Sequence, residues 1–203
     1  MKILLLYPNT YGMNMIPPAL GIFTAILRQA GHELQLFDTT DYVEDDRNFD
    51  KEKSDNLNAR PINDFSKLEE ARIFSDPIVD FNSIVESFKP NLIAVSVVED
   101  MFPRAIELLS ALNGSRPTVL MGGVFPTFAA DVAWNNSEGC VDYILKGEGE
   151  KTILEFCDKL EKKQPLSDID GIYYVDKNVF LGDKVINNSL PTPHPIAEVP
   201  IPD

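Results

Sequence analysis

Leu92-Ile93-Ala94-Val95-Ser96-Val97-Val98 is the stretch that decides the fold. All but one of its side chains are apolar and several are β-branched. It therefore reads as a strand covered on both faces, the texture of a central strand in a parallel sheet. Its neighbours switch to a helical period. Upstream, Phe81, Ile84, Val85 and Phe88 fall at i, i+3, i+4 and i+7, with Asp80 placed as the N-cap and Pro90 as the stop. Downstream, a helix from about residue 103 carries Ala105, Leu108, Leu109 and Leu112 on one face and ends at Asn113-Gly114.

Working outward, the alternation repeats. A strand over 118–121 runs into Gly122-Gly123, a short helix follows over 128–134, and a further strand covers 143–146. Gly147-Glu148-Gly149-Glu150 then leads into a helix with Ile153, Phe156, Cys157 and Leu160 inward. On the other side, the apolar run 3–7 is ended by Pro8, and Pro17-Pro18 opens a helix with Leu20, Phe23, Ile26, Leu27 and Ala30 on its apolar face. Gly31 stops that helix, and 34–37 reads as a less buried second strand. Strands separated by helices of this length require right-handed crossovers. The fold expected is α/β: a flavodoxin-like (Rossmann-like) five-stranded parallel sheet of order 2-1-3-4-5, with helices on both faces.

The chain has 203 residues, room for one substantial core. Its formal net charge of -14 argues against a nucleic-acid partner and against an anionic membrane surface. No apolar run reaches membrane-spanning length, and the opening Met1-Lys2-Ile3-Leu4-Leu5-Leu6 stops at Tyr7-Pro8 without a cleavage site, so it reads as a strand rather than a signal peptide. Cys140 and Cys157 have neither metal-ligand spacing nor a partner pattern; they are expected to be small buried hydrophobes in a cytoplasmic protein.

Two segments break the regularity. Residues 41–80 hold twelve acidic and six basic side chains and read as a polar, acidic insertion with one short helix over 65–74. After Pro165, the stretches 172–175 and 179–181 form a β-hairpin through 176–178, and Pro191, Pro193, Pro195, Pro200 and Pro202 mark a linker. The expected division is 1–163 for the α/β domain and 164–203 for hairpin and linker.

In an open parallel sheet, ligands bind beyond the carboxyl ends of the strands, where the strand order reverses. That rule selects the loops 8–14, 96–101, 122–127 and 147–150. Gly122-Gly123 either bares main chain to a bulky ligand or serves a tight strand-to-helix turn. The amides of Gly147-Glu148-Gly149-Glu150 favour hydrogen-bond acceptors; its glutamates suit simple capping and disfavour phosphate. Ser96 opens room or donates a hydroxyl, or is a satisfied buried serine. Glu99 and Asp100 are acid/base candidates or merely solvated. There is no Gly-x-Ser-x-Gly elbow, no phosphate-binding Gly-Lys-Ser/Thr and no metal-spaced cluster, and neither His32 nor His194 is a persuasive base. No catalytic residue and no protein metal ligand is expected in the chain.

Taken together, Tyr7-Pro8, Pro17-Pro18-Ala19-Leu20-Gly21, Gly31-His32-Glu33, Asp38, Pro90-Asn91-Leu92-Ile93-Ala94-Val95-Ser96, Met121-Gly122-Gly123-Val124-Phe125-Pro126-Thr127 and Asp142-Tyr143-Ile144-Leu145-Lys146-Gly147-Glu148-Gly149-Glu150 form an ordered set. The set resembles the N-terminal cobalamin-binding domain of cobalamin-dependent radical S-adenosylmethionine proteins, a group of methyltransferases and an anaerobic cyclase. The resemblance covers about residues 1–163. It implies a cobalamin whose nucleotide tail enters past Ser96, Val97 and Gly122-Gly123, flanked by Gly147, Glu148, Gly149 and Glu150. It implies that Asn9, Thr10, Tyr11, Gly12, Glu99, Asp100 and Met101 face the corrin, with Phe125, Pro126 and Thr127 in the neighbouring loop.

Three departures qualify it. No histidine stands in an Asp-x-His-x-x-Gly pattern, so cobalt would lack that protein ligand. Phe125 stands where family members often have histidine. The Cys-x-x-x-Cys-x-x-Cys set that holds a 4Fe-4S cluster is absent, so S-adenosylmethionine and the cluster would belong to a C-terminal radical domain of a longer parent, with an unknown small-molecule or peptide substrate. Two other readings stand beside this one: a degenerate docking domain that binds no corrinoid, and a flavodoxin-like flavin or phospho-receiver module.

Overall fold

The computed structural model describes residues 1–10, 17–43, 72–114, 116–177 and 182–202. Five strands form where the apolar runs place them: β1 (Lys2–Tyr7), β2 (Glu33–Asp38), β3 (Leu92–Ser96), β4 (Thr118–Gly122) and β5 (Tyr143–Leu145). They lie in the order 2-1-3-4-5 with every pairing parallel. The sheet continues beyond them. Strand β6 (Ile172–Asp176) pairs antiparallel with β5, and β7 (Lys184–Asn187) antiparallel with β6, so the hairpin extends the same sheet across residue 163. The expected second arm at 179–181 lies outside the described residues; the arm that pairs is the later one, with Val185 opposite Val175 and Ile186 opposite Tyr174.

The helices are α1 (Pro18–Gln29), α2 (Pro77–Phe88), α3 (Phe102–Ser110), α4 (Val124–Phe128), α5 (Ala130–Asn135) and α6 (Thr152–Glu161). The period-two alternation of the strands sorts their side chains into two cores. Leu4, Leu6, Ile93, Val95, Val119 and Met121 meet Phe81 of α2, Leu108 of α3 and Ala133 of α5. Ile3, Leu5, Leu92, Ala94, Leu120 and Leu145 meet Leu27 of α1 and Phe156 of α6. Phe81 and Phe156 are fully buried, and truncating either to alanine is expected to cost about 3–5 kcal/mol.

Two helix boundaries differ from their sequence expectation. Helix α2 starts about a turn before its apolar repeat, because Pro77 supplies the first turn and Asp76 caps it, accepting from the Ile78 amide at 2.8 Å. Asp80 is therefore not the cap. It accepts instead from the Tyr42 hydroxyl at 3.0 Å and from the Ser75 hydroxyl. The expected helix over 128–134 is two short helices, broken at Ala129. Of the helix expected over 65–74, residues 65–71 lie outside the described residues, and Ile73 makes a parallel bridge with Tyr42.

Among the described residues no helix is long and apolar enough to cross a membrane. Both cysteines are buried and free, and burial pushes both thiols up, Cys157 to about 12.

Candidate functional site

In the paired register, Leu5 of β1, Ala94 of β3 and Leu120 of β4 lie side by side across the sheet. A methyl group between two leucines leaves a depression in that face. Helix α1 covers it incompletely with Leu20 and Phe23, and Ile153 closes the α6 side. The result is a hollow of about 340 Å³ that opens at the carboxyl ends of the strands, where Ser96, Gly122 and Gly147 meet. Val124 and Phe128 of α4 stand at its mouth, 61% and 86% exposed.

The two glycines after β4 do different things. Gly123 has φ +110°, and a Cβ there would sit 2.3 Å from the Val97 oxygen and 2.7 Å from its nitrogen. The packing of one strand-end loop on the next therefore demands this glycine, with or without a ligand. At Gly122 a Cβ would meet only the Leu145 oxygen at 3.5 Å, an ordinary contact, so space at the hollow is not bought by strain there. The Thr127 hydroxyl joins the loops: it donates to the Gly123 oxygen at 2.7 Å and accepts from the Gly147 amide at 3.0 Å.

The loop after β5 is held from behind by residues expected to be a free linker. Gly147 has φ +80°, and a Cβ on it would lie 3.1 Å from the Pro191 ring. Asn188 donates to the oxygens of Ser167 and Ile169, Gly171 donates to the Ser189 oxygen at 2.7 Å, and the His194 amide donates to Glu148 Oε2 at 2.9 Å. Lys146, whose ammonium burial pulls below the usual lysine range, donates to the Asn188 oxygen at 2.8 Å. Glu148 is thus engaged by the tail. Glu150 is not: its Oε2 is buried at the hollow and accepts no hydrogen bond among the described residues.

Of the residues singled out in the sequence, Ser96, Gly122, Gly123, Thr127, Gly147, Glu148, Gly149 and Glu150 come together around this hollow. The others do not line it. Asn9 is buried beside β2, donating to the Thr40 hydroxyl at 2.9 Å and accepting from Thr39 at 2.6 Å through its carbonyl. Val97, Met101 and Pro126 are core residues; the Val97 amide donates to the Gly122 oxygen at 2.9 Å. Glu99 and Phe125 line a separate open groove beside α3, where Phe125 packs on Phe102 with ring centroids 5.0 Å apart. Asp100 is exposed, Thr10 is half-buried, and Tyr11 and Gly12 lie outside the described residues. Sequence reasoning missed the walls, Leu5, Phe23, Ala94, Leu120, Leu145 and Ile153. The signal available was Ala94, the smallest side chain within its strand, but its consequence depends on register.

Among the described residues no three His, Cys, Asp or Glu side chains converge into a metal-binding set. No family model matches the chain. Over 93–99% of its length it superimposes on solved radical S-adenosylmethionine enzymes. The methyltransferase TsrM of Kitasatospora setae, with tryptophan and a SAM analogue bound, matches with TM-score 0.64 at 17% identity, over 93% of this chain and 30% of that one. The cobalamin-dependent enzyme OxsB with aqua-cobalamin bound matches with TM-score 0.64 at 18% identity, over 99% of this chain and 24% of that one. Cobalamin-dependent radical enzymes share this fold.

Two sequence relatives match parts of the chain. An uncharacterized methyltransferase of Pyrococcus horikoshii is 26% identical over 127 residues, 61% of this chain and 26% of the relative. The anaerobic magnesium-protoporphyrin IX monomethyl ester cyclase of Synechocystis is 36% identical over 76 residues, 37% of this chain and 14% of the cyclase. The chain thus spans about a quarter of the length of the methyltransferase and less of the cyclase.

Proposed function

We propose that the chain is a cobalamin-binding module in which the hollow takes the base-bearing end of the cofactor's nucleotide tail. The observation that carries this reading is the apolar slot of about 340 Å³ at the carboxyl ends of the parallel strands, between two glycine-bearing loops. A volume of that size holds one flat ring system and leaves the bulk of a large cofactor outside. Leu5, Leu120, Leu145 and Phe23 offer an apolar sandwich for such a ring, and burying it there is favourable without any charged partner. Glu150 Oε2, buried and without a partner among the described residues, fits a ligand that brings a hydrogen-bond donor with it.

When bound, the cofactor supplies cobalt-centred methyl-transfer or radical chemistry. This chain's own residues bind and orient. The Thr127 hydroxyl holds the two rim loops at a fixed separation, and Gly123 lets β3 and β4 end side by side beneath them. Neither histidine lines the hollow: His32 precedes β2 at the opposite end of the sheet, and His194 contacts Glu148 from the tail side. Cobalt ligation by a histidine of this slot is accordingly not part of the reading. The chemistry itself is assigned to a radical domain with its own cluster and S-adenosylmethionine, reached through residues 164–203 and acting on a small-molecule or peptide substrate. That the chain spans 14–30% of its relatives' lengths supports this division. Two buried, unpaired cysteines support a reducing, cytoplasmic location.

Titrating the purified chain with hydroxocobalamin, read by visible absorbance and by co-elution in gel filtration, tests the proposal. Saturable binding is expected. No spectral change and no retention at high-micromolar cofactor rejects it in favour of a docking domain that binds no corrinoid.

A further inference from the structure

The two glutamates of the loop after β5 are built into the structure in opposite ways. Glu148 is spoken for by the tail, through the His194 amide at 2.9 Å. Glu150 turns toward the hollow, where Oε2 is sealed from solvent and finds no donor among the described residues. The Thr127 hydroxyl of the facing loop already donates to the Gly123 oxygen and accepts from the Gly147 amide. A buried acceptor without a partner carries its full desolvation cost, and such groups persist where a ligand supplies the missing bond. Glu150 precedes the first turn of α6, where the Ile153 amide donates to the Gly149 oxygen at 2.9 Å.

We propose that Glu150 is the specificity-determining acceptor of the hollow, taking a hydrogen bond from a neutral donor, a sugar hydroxyl, on the nucleotide tail of the ligand. This rests on the corrinoid reading and deepens it. The chemistry follows from sign. A carboxylate at this place repels a phosphodiester, so the part of the tail against the β5 loop is the sugar face and not the phosphate. It also separates corrinoids by their tails: one that lacks the nucleotide brings nothing for Glu150 to hold.

The test is a two-by-two binding experiment on the full chain with hydroxocobalamin and with cobinamide, which lacks the nucleotide. Wild type, Glu150→Gln and Glu150→Ala are compared by absorbance titration, with circular dichroism confirming that the variants fold. Wild type is expected to prefer hydroxocobalamin. Glu150→Ala weakens it about 10-fold and the near-isosteric Glu150→Gln a few-fold, while cobinamide affinity moves less than about 2-fold. Equal losses for both corrinoids, no loss for either, or equal wild-type affinity for both overturns the assignment of Glu150. Failure of the wild type to bind either corrinoid overturns the corrinoid reading itself, a different result from these.

Discussion

Asp142 and Glu150 flank the same three-residue strand, β5, one before it and one after, and their surroundings are opposites. Asp142 receives two bonds from the Arg116 guanidinium at 2.6 and 2.8 Å and a third from the Val119 amide at 2.8 Å. The same guanidinium reaches the Gly139 oxygen at 3.2 Å, so β4 and β5 are pinned together where they begin. At that end of the sheet Lys2 and Asn91 also pair, the Lys2 amide with the Asn91 side chain and the Asn91 amide with the Lys2 oxygen, both at 2.8 Å. At the other end, Glu150 faces an apolar slot with a buried oxygen that accepts no hydrogen bond among the described residues. One end of the sheet is tied by paired polar groups; at the other, on the proposed function, the ligand supplies the missing bond.

The sharpest way to break that contrast is at the hinge between the ends and the slot. Gly123→Ala places a Cβ against Val97 in a left-handed backbone and is expected to cost about 3 kcal/mol or more in urea unfolding. Gly122→Ala, one residue away and unstrained, is expected to cost under about 1 kcal/mol. If the two cost the same, the division of labour between these glycines is wrong.

Asp142→Asn comes next. It leaves Arg116 without its charge-assisted fork and is expected to lower stability by about 1–2 kcal/mol, discounted because both side chains are about a third exposed, while corrinoid binding by the folded protein stays unchanged. A loss of binding at constant stability would erase the distinction between the two ends.

Another paired carboxylate, Asp80, allows a pH test. The Tyr42 hydroxyl is pushed up to about 12, first by burial and then by its bond to Asp80. The folded state thus prefers the neutral phenol, so this contribution is whole below pH 10 and lost as pH rises through about 12. Unfolding midpoints measured from neutral pH upward should fall more steeply above pH 10 in wild type than in Tyr42→Phe.

Glu150→Gln is expected to have the smallest effect on stability, a gain of about 0.5 kcal/mol or none, because the Oε2 it replaces accepts no hydrogen bond among the described residues. A marked loss of stability would make Glu150 a structural residue like Asp142.

Much of the fold was legible because burial on both faces writes long apolar runs into parallel strands. The stretches 3–7, 92–96 and 118–121 read as buried strands, and the 2-1-3-4-5 order, expected by likeness to doubly wound folds, is the one found. The α2 cap was misplaced for a physical reason: Pro77 and Asp76 act locally at the backbone, outside the apolar repeat used to locate the helix. The hairpin's paired arm was missed because Lys184–Asn187 is short and half polar, and only its seat beside β6 makes it a strand. In the site, the glycine loops were readable because a turn at a strand end constrains residue type. Phe125 and Glu99 were not, since nothing in a linear sequence says on which side of the sheet a loop residue falls.

The sequence by itself determined the strands, the helices between them and the glycine turns of the rim, because hydrophobic period and glycine placement are local quantities. Only the tertiary structure decided what that rim can hold. The hollow exists because Ala94 falls between Leu5 and Leu120 in register, the tail at Pro191 and His194 fixes the β5 loop, and Glu150 Oε2 meets no donor among the described residues. Each of these is a meeting of residues far apart in the chain, and contact between distant residues is set by packing, not by spacing.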